Sequence, residues 1–212
     1  MLSSRVFTEQ HFGRLIERLY PQAMKKFLSW QYQITIIYTH GKDISWKNLG
    51  GSYSTEADGI VSDAFLDEKR KILYGAALID VKMICSGQRI SLSPHGGLSQ
   101  SSYTLISLKY KVLRVLAHEL FHMVQHWNIG SEKFSKQYTE KYFQLLEEGK
   151  RENPHWSEGT ARAAAHAHHP DEKIAEEHAL RRIKDFKIEI DGGLWDKYIP
   201  IQDMEFYSHR KL

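Results

Sequence analysis

A chain of 212 residues with 42% hydrophobic content is long enough to bury a full core, as one domain or two small lobes, which excludes a disordered or fibrous protein. Its 29 basic and 26 acidic residues leave a net charge of +3, too balanced to imply a nucleic-acid partner. The single Cys85 cannot form an internal disulfide, and no run of uncharged apolar residues is long enough to span a bilayer.

In chain order, Met1 to Arg5 leads into no apolar run of signal-peptide kind, so a cytoplasmic, reducing location is expected, with leaderless release left open. From Thr8 to Trp30 the spacing of Phe12, Leu15, Ile16, Leu19 and Tyr20, interrupted by Pro21, predicts two helices or one kinked helix. Strands are predicted over Gln33–Thr39, Lys71–Asp80 and Arg89–Ser93, and Val81 to Cys85 also reads as strand, with a packed thiol. Gly41 to Asp58 reads as loop or irregular hairpin, and Pro94 to Gly97 links the last strand to a long helix.

That helix is the most informative part of the chain. After a Ser-rich start at Ser101-Ser102, residues Leu105, Leu108, Val112, Leu116, Leu120 and Val124 recur at helical steps, so the helix is long and largely buried. Set within it is His118-Glu119-Leu120-Phe121-His122, a His-Glu-x-x-His pattern. Four residues advance about 400° and about 6 Å, which puts both imidazoles on one face with room to share a cation. Glu119 lies about 100° round from His118, beside that cation and not on it, where a carboxylate can take a proton from a metal-activated water. Buried polar groups cost free energy unless something binds them, and a zinc ion is the simplest partner.

Downstream, helices are predicted over Phe134–Gly149 and Ser157–Lys187, ending near Asp191-Gly192-Gly193. Within them Trp156-Ser157-Glu158-Gly159-Thr160-Ala161 places a carboxylate after an aromatic and before Gly, on an Ala-rich helix. Together with His118 to Gln125, this segment resembles the gluzincins, the thermolysin-like zinc metallopeptidases. The resemblance covers about a tenth of the chain. It implies Glu158 as third metal ligand beside His118 and His122, Glu119 as general base, and a peptide or protein substrate. Two departures stand out. One residue separates Trp156 from Glu158 where many relatives have two, and Arg162 stands one turn after Glu158 where some gluzincins carry an acid that orients a metal-bound His.

The resemblance further implies an α+β, zincin-like fold: an N-terminal subdomain over 1–127 holding a helix, a small mixed sheet and the His-Glu-x-x-His helix. A helical C-terminal subdomain over 128–212 would follow, with a cleft between. In that family a sheet-edge strand binds the substrate backbone, and Gly75, Ala76 and Ala77 are the candidate edge because small side chains admit a peptide closely. A downstream Tyr or His stabilises the oxyanion there, which nominates Tyr198, Tyr207 and His209.

Other ligand sources fit less well. His126 continues the helical series but stands two turns from His118, about 12 Å along the axis, so three ligands on one straight helix cannot converge. The metzincin spacing is excluded by Gln125 and Asn128. His166, His168, His169 and His178 read more plainly as a helix end stopped by Pro170 than as ligands. Two further functions stay open: a binding or regulatory module on the same core, and a protease acting on DNA, for which no basic stripe speaks. Oligomeric state is not written in the sequence.

Overall fold

The computed structural model describes residues 5–8, 10–40, 59–86 and 105–208. Strand β1 (Arg5–Thr8) leads into α1 (Gln10–Leu19), and Pro21 opens the short α2 (Pro21–Met24) as its first residue, where a missing N–H costs nothing. Of the two expected forms, two helices or one kinked helix, the chain takes the first. Strands β2 (Gln31–Thr39), β3 (Gly59–Asp67) and β4 (Ile72–Asp80) complete a four-stranded mixed sheet in the order β1-β2-β4-β3. β4 runs parallel to β2 and antiparallel to β3.

Two local expectations change. Val81–Ser86 is a helix, α3, because the Asp80 side chain accepts the Met83 backbone N–H at 3.0 Å and so caps a first turn. Cys85 on it is nevertheless buried, as expected of a packed thiol. β3 does not appear in the sequence reading, since its apolar alternation breaks at a bulge between Val61 and Asp63. The expected loop Gly41–Asp58, strand Arg89–Ser93 and link Pro94–Gly97 lie outside the described residues.

The long helix is α4 (Leu105–Ile129). It lies on β3 and β4, and Gly75 lets it do so: a Cβ there would stand 2.6 Å from Met123 Sδ. Beside that contact Trp127, fully buried, donates its indole N–H to the Tyr74 carbonyl at 2.9 Å. Truncating such a residue to Ala costs about 3–5 kcal/mol. Gly130, at φ 92°, turns the chain from α4 into α5 (Ser131–Glu152).

Then come α6 (Glu158–His168), capped by the Ser157 hydroxyl, and α7 (Pro170–Asp185). Pro170 both stops α6 and starts α7, with His169 Nδ1 accepting the Asp171 N–H as cap. The short α8 (Lys187–Asp191) and α9 (Ile201–Ser208) finish the described chain. The fold is α+β. One core joins α1, the sheet, α4, α7 and α9, so it runs across residue 127; a smaller cluster of Leu146, Ala161 and Ala165 seals α5 against α6. No described helix is long and apolar enough to cross a membrane.

Candidate metal centre

The site begins with how closely two helices approach. Ala175 and Ala179 on α7 are completely buried, and their small side chains let α7 pack onto α4 at the level of His118. The first turn of α7 carries Glu172, which this packing sets against both histidines. Glu172 Oε2 is 3.0 Å from His118 Nε2, and Glu172 Oε1 is 3.3 Å from His122 Nε2. The two Nε2 atoms are themselves 3.0 Å apart. One atom from each of the three residues lies within 4.8 Å of the others, so this group could hold a metal ion. Tetrahedral donors about 2.1 Å from a metal stand about 3.4 Å apart, so the observed spacings need only a few tenths of an ångström of adjustment.

Each donor is supported from behind. Glu176, one turn after Glu172, places Oε2 at 3.5 Å from His118 Nδ1, and Arg114 holds Glu176 at 2.6 Å. This is the orienting acid that Arg162 could not supply. His122 Nδ1 is 2.7 Å from Gln125 Oε1. Tyr138, on α5, donates its hydroxyl to Glu172 Oε1 at 2.7 Å, and His166, on α6, brings Nε2 to 3.5 Å from Glu172 Oε2.

Electrostatics follow from this crowding. Burial would lower the proton affinity of His118, but its hydrogen bonds to Glu172 and Glu176 outweigh burial and push it up to about 10. Burial would raise Glu172, but the His118 and His122 rings set against it hold it well below the usual carboxylate range. Glu119 is shifted upward by burial, against the pull of the His118 and His122 charges and a hydrogen bond from the Val61 backbone. Gly59 at the start of β3 touches the same carboxylate; a Cβ there would lie 2.8 Å from Glu119 Oε1.

The other nominated residues fall elsewhere. Glu158 is half exposed at the start of α6, and its oxygens pair with Lys150 at 2.8 Å and Arg162 at 2.8 Å. The carboxylate facing His118 and His122 is Glu172, because a cap and two buried alanines, not an aromatic-Glu-Gly motif, direct an acid inward. Gly75, Ala76 and Ala77 are not an edge: they lie on β4, paired on one side with Ile34, Thr35 and Ile36 and on the other with β3. The outer strand on that side of the described sheet is β3.

Tyr198 is packed between Phe12 and Trp195, and Tyr207 shares a hydrogen bond with buried His40 at 3.1 Å. His209 lies outside the described residues. His126 sits against Phe134 at 4.5 Å between ring centroids, partly buried and away from the ligand set. Of the later histidines, His166 reaches the site, while His169 is the cap of α7 and His178 stacks on Phe121.

No family model, curated protein or solved structure matches this chain. The functional reading therefore rests on the site itself.

Proposed function

We propose that the chain is a zinc-dependent peptidase of gluzincin type, with His118, His122 and Glu172 as ligands and Glu119 as general base. The observation that carries this reading is the convergence of two Nε2 atoms and a carboxylate on one point, with a further buried carboxylate beside them that is not part of the ligand set. Two imidazoles and a carboxylate form the donor set of hydrolytic zinc sites that keep a position open. Bound there, zinc would supply Lewis acidity toward a scissile carbonyl and toward water.

The protein's own groups have distinct tasks. Glu119, with its proton affinity raised by burial, accepts a proton from the attacking water and returns it to the departing amine. Tyr138 keeps its hydroxyl proton because burial and Glu172 drive its ionisation far upward, and it donates that O–H to Glu172 Oε1, so the hydroxyl buttresses the ligand carboxylate. His166 Nε2 faces the other oxygen of that carboxylate, 3.5 Å from Oε2. β3, outermost in the described sheet and in contact with Glu119 through Gly59 and Val61, is the strand against which an extended substrate backbone would lie.

The deciding experiment compares zinc-reconstituted wild type with Glu119→Gln on a peptide library. Gln keeps size and hydrogen bonding but cannot take the proton. The variant is expected to retain fold and zinc while hydrolysis falls at least about a hundredfold. Equal cleavage by both proteins removes Glu119 as base, and cleavage by neither removes the peptidase reading.

A further inference from the structure

Gln125 is not a metal ligand, yet its side chain bridges the two helices that supply the ligands. Its Oε1 lies 2.7 Å from His122 Nδ1, and its Nε2 donates to Asp171 Oδ1 at 3.3 Å. Asp171 immediately precedes Glu172, and its own backbone N–H is held by His169 Nδ1 at 3.2 Å. His169 is in turn fixed, with Nε2 3.1 Å from the Tyr138 carbonyl and its ring stacked 4.0 Å from Tyr138.

The chemistry of these groups fixes where the Nδ1 proton of His122 sits. An ionised carboxylate only accepts hydrogen bonds, so the amide NH2 of Gln125 must face Asp171. The amide oxygen then faces His122, and an oxygen there requires a proton on Nδ1. A neutral imidazole with hydrogen on Nδ1 has its lone pair on Nε2, the atom 3.3 Å from Glu172 and 3.0 Å from His118 Nε2. Glu176 likewise keeps a proton on Nδ1 of His118.

We infer that Gln125 is a positioning residue that, relayed from Asp171, fixes His122 as the Nδ1–H tautomer and so presents its Nε2 lone pair for metal before any metal binds. Asp171 orients the amide, and the amide selects the tautomer. This inference rests on the metal-centre part of the proposed function and is independent of whether the protein hydrolyses peptides.

The test reads the tautomer directly, from 15N–1H correlations of the His122 ring in metal-free protein at roughly pH 8, above the ordinary histidine range. Wild type is expected to show hydrogen on Nδ1; hydrogen on Nε2 overturns the inference, and this measurement needs no variant to fold. Gln125→Ala is expected to mix the two tautomers and weaken zinc about 10- to 100-fold in a chelator competition, as loss of a ligand's hydrogen-bond partner usually does. Asp171→Asn, which lets the Gln125 amide turn over, is expected to mix the tautomers partially with a smaller loss of affinity. Zinc affinity within about twofold of wild type in Gln125→Ala, with the His122 tautomer unchanged, overturns the inference. A wild type that shows hydrogen on Nδ1 but takes up no zinc upholds the relay while removing the metal centre.

Discussion

Glu172 and Glu176 hold the His118 ring from its two opposite nitrogens, Oε2 of the first at 3.0 Å from Nε2 and Oε2 of the second at 3.5 Å from Nδ1. One turn of α7 thus supplies both a carboxylate of the candidate metal centre and the group that aims His118. Glu172→Ala is expected to abolish stoichiometric zinc uptake, since it removes a ligand outright. Glu176→Gln, which keeps shape but weakens the grip on Nδ1, is expected to lower affinity about 10- to 100-fold. Glu158→Ala should leave zinc content unchanged, because Glu158 is engaged with Lys150 and Arg162 at the surface. Metal analysis of the three variants ranks them; a loss in Glu158→Ala equal to that in Glu172→Ala would return the third ligand to α6.

What was legible in the sequence is what local spacing determines. The i, i+4 placement of His118 and His122, with Glu119 between, is a property of one helix, and the burial of α4 follows from its apolar repeat. Glu172 is set by tertiary packing: it depends on a helix restarting at Pro170, on His169 acting as cap, and on Ala175 and Ala179 letting α7 close onto α4. A signal was present, since Glu172 and Glu176 lie one turn apart on the face shared with those alanines. Pro170 marks a helix stop as plainly as a helix start, and that ambiguity hides the signal. The outer strand β3 is hard to read from sequence for a related reason, because the bulge near Ser62 breaks the period-two pattern that marks a strand.

Metal uptake should release protons. In metal-free protein the His118 proton affinity is raised to about 10, so the ring is charged at neutral pH, whereas a ligand must present a bare nitrogen. Calorimetric titration with zinc in buffers of different ionisation enthalpy is expected to show about one proton released from this ring per metal, and apparent affinity should climb about tenfold per pH unit between neutrality and pH 9. The sign follows from His118 binding its proton more tightly than an ordinary histidine. An affinity independent of pH over that range would show that His118 is already neutral.

His126 provides a second pH dependence, from a shift of opposite sign. Burial, together with the charge on His122, lowers it to about 4 from an ordinary 6.5, and its Nδ1 is buried without a hydrogen-bond partner. Above pH 6.5 neither folded nor unfolded chain protonates this ring, so its packing against Phe134 is unimpaired. As pH falls from 6.5 toward 4 the unfolded chain takes up a proton that the folded chain resists, and stability drops. Denaturant titrations are expected to show wild type losing stability relative to His126→Gln across that window. Parallel pH profiles for the two proteins would mean that His126 titrates normally in the fold.

Buried His40 follows β2 and bonds through Nε2 to Asp203 at 3.2 Å and through Nδ1 to the Tyr207 hydroxyl at 3.1 Å, tying α9 to the end of that strand. Removing one member of a buried pair costs about 3–5 kcal/mol, because the remaining group loses its partner without regaining water. Asp203→Ala is therefore expected to lower the melting temperature by about 10 °C, at about 2–4 °C per kcal/mol for a chain of this size. Tyr207→Phe, losing one hydrogen bond, should cost about 1–3 kcal/mol. Both residues lie on α9 and neither belongs to the proposed ligand set, so zinc per folded chain and hydrolysis by folded protein should stay at wild-type values. Loss of hydrolysis in Tyr207→Phe at unchanged stability would place that hydroxyl at the reaction instead of in this latch.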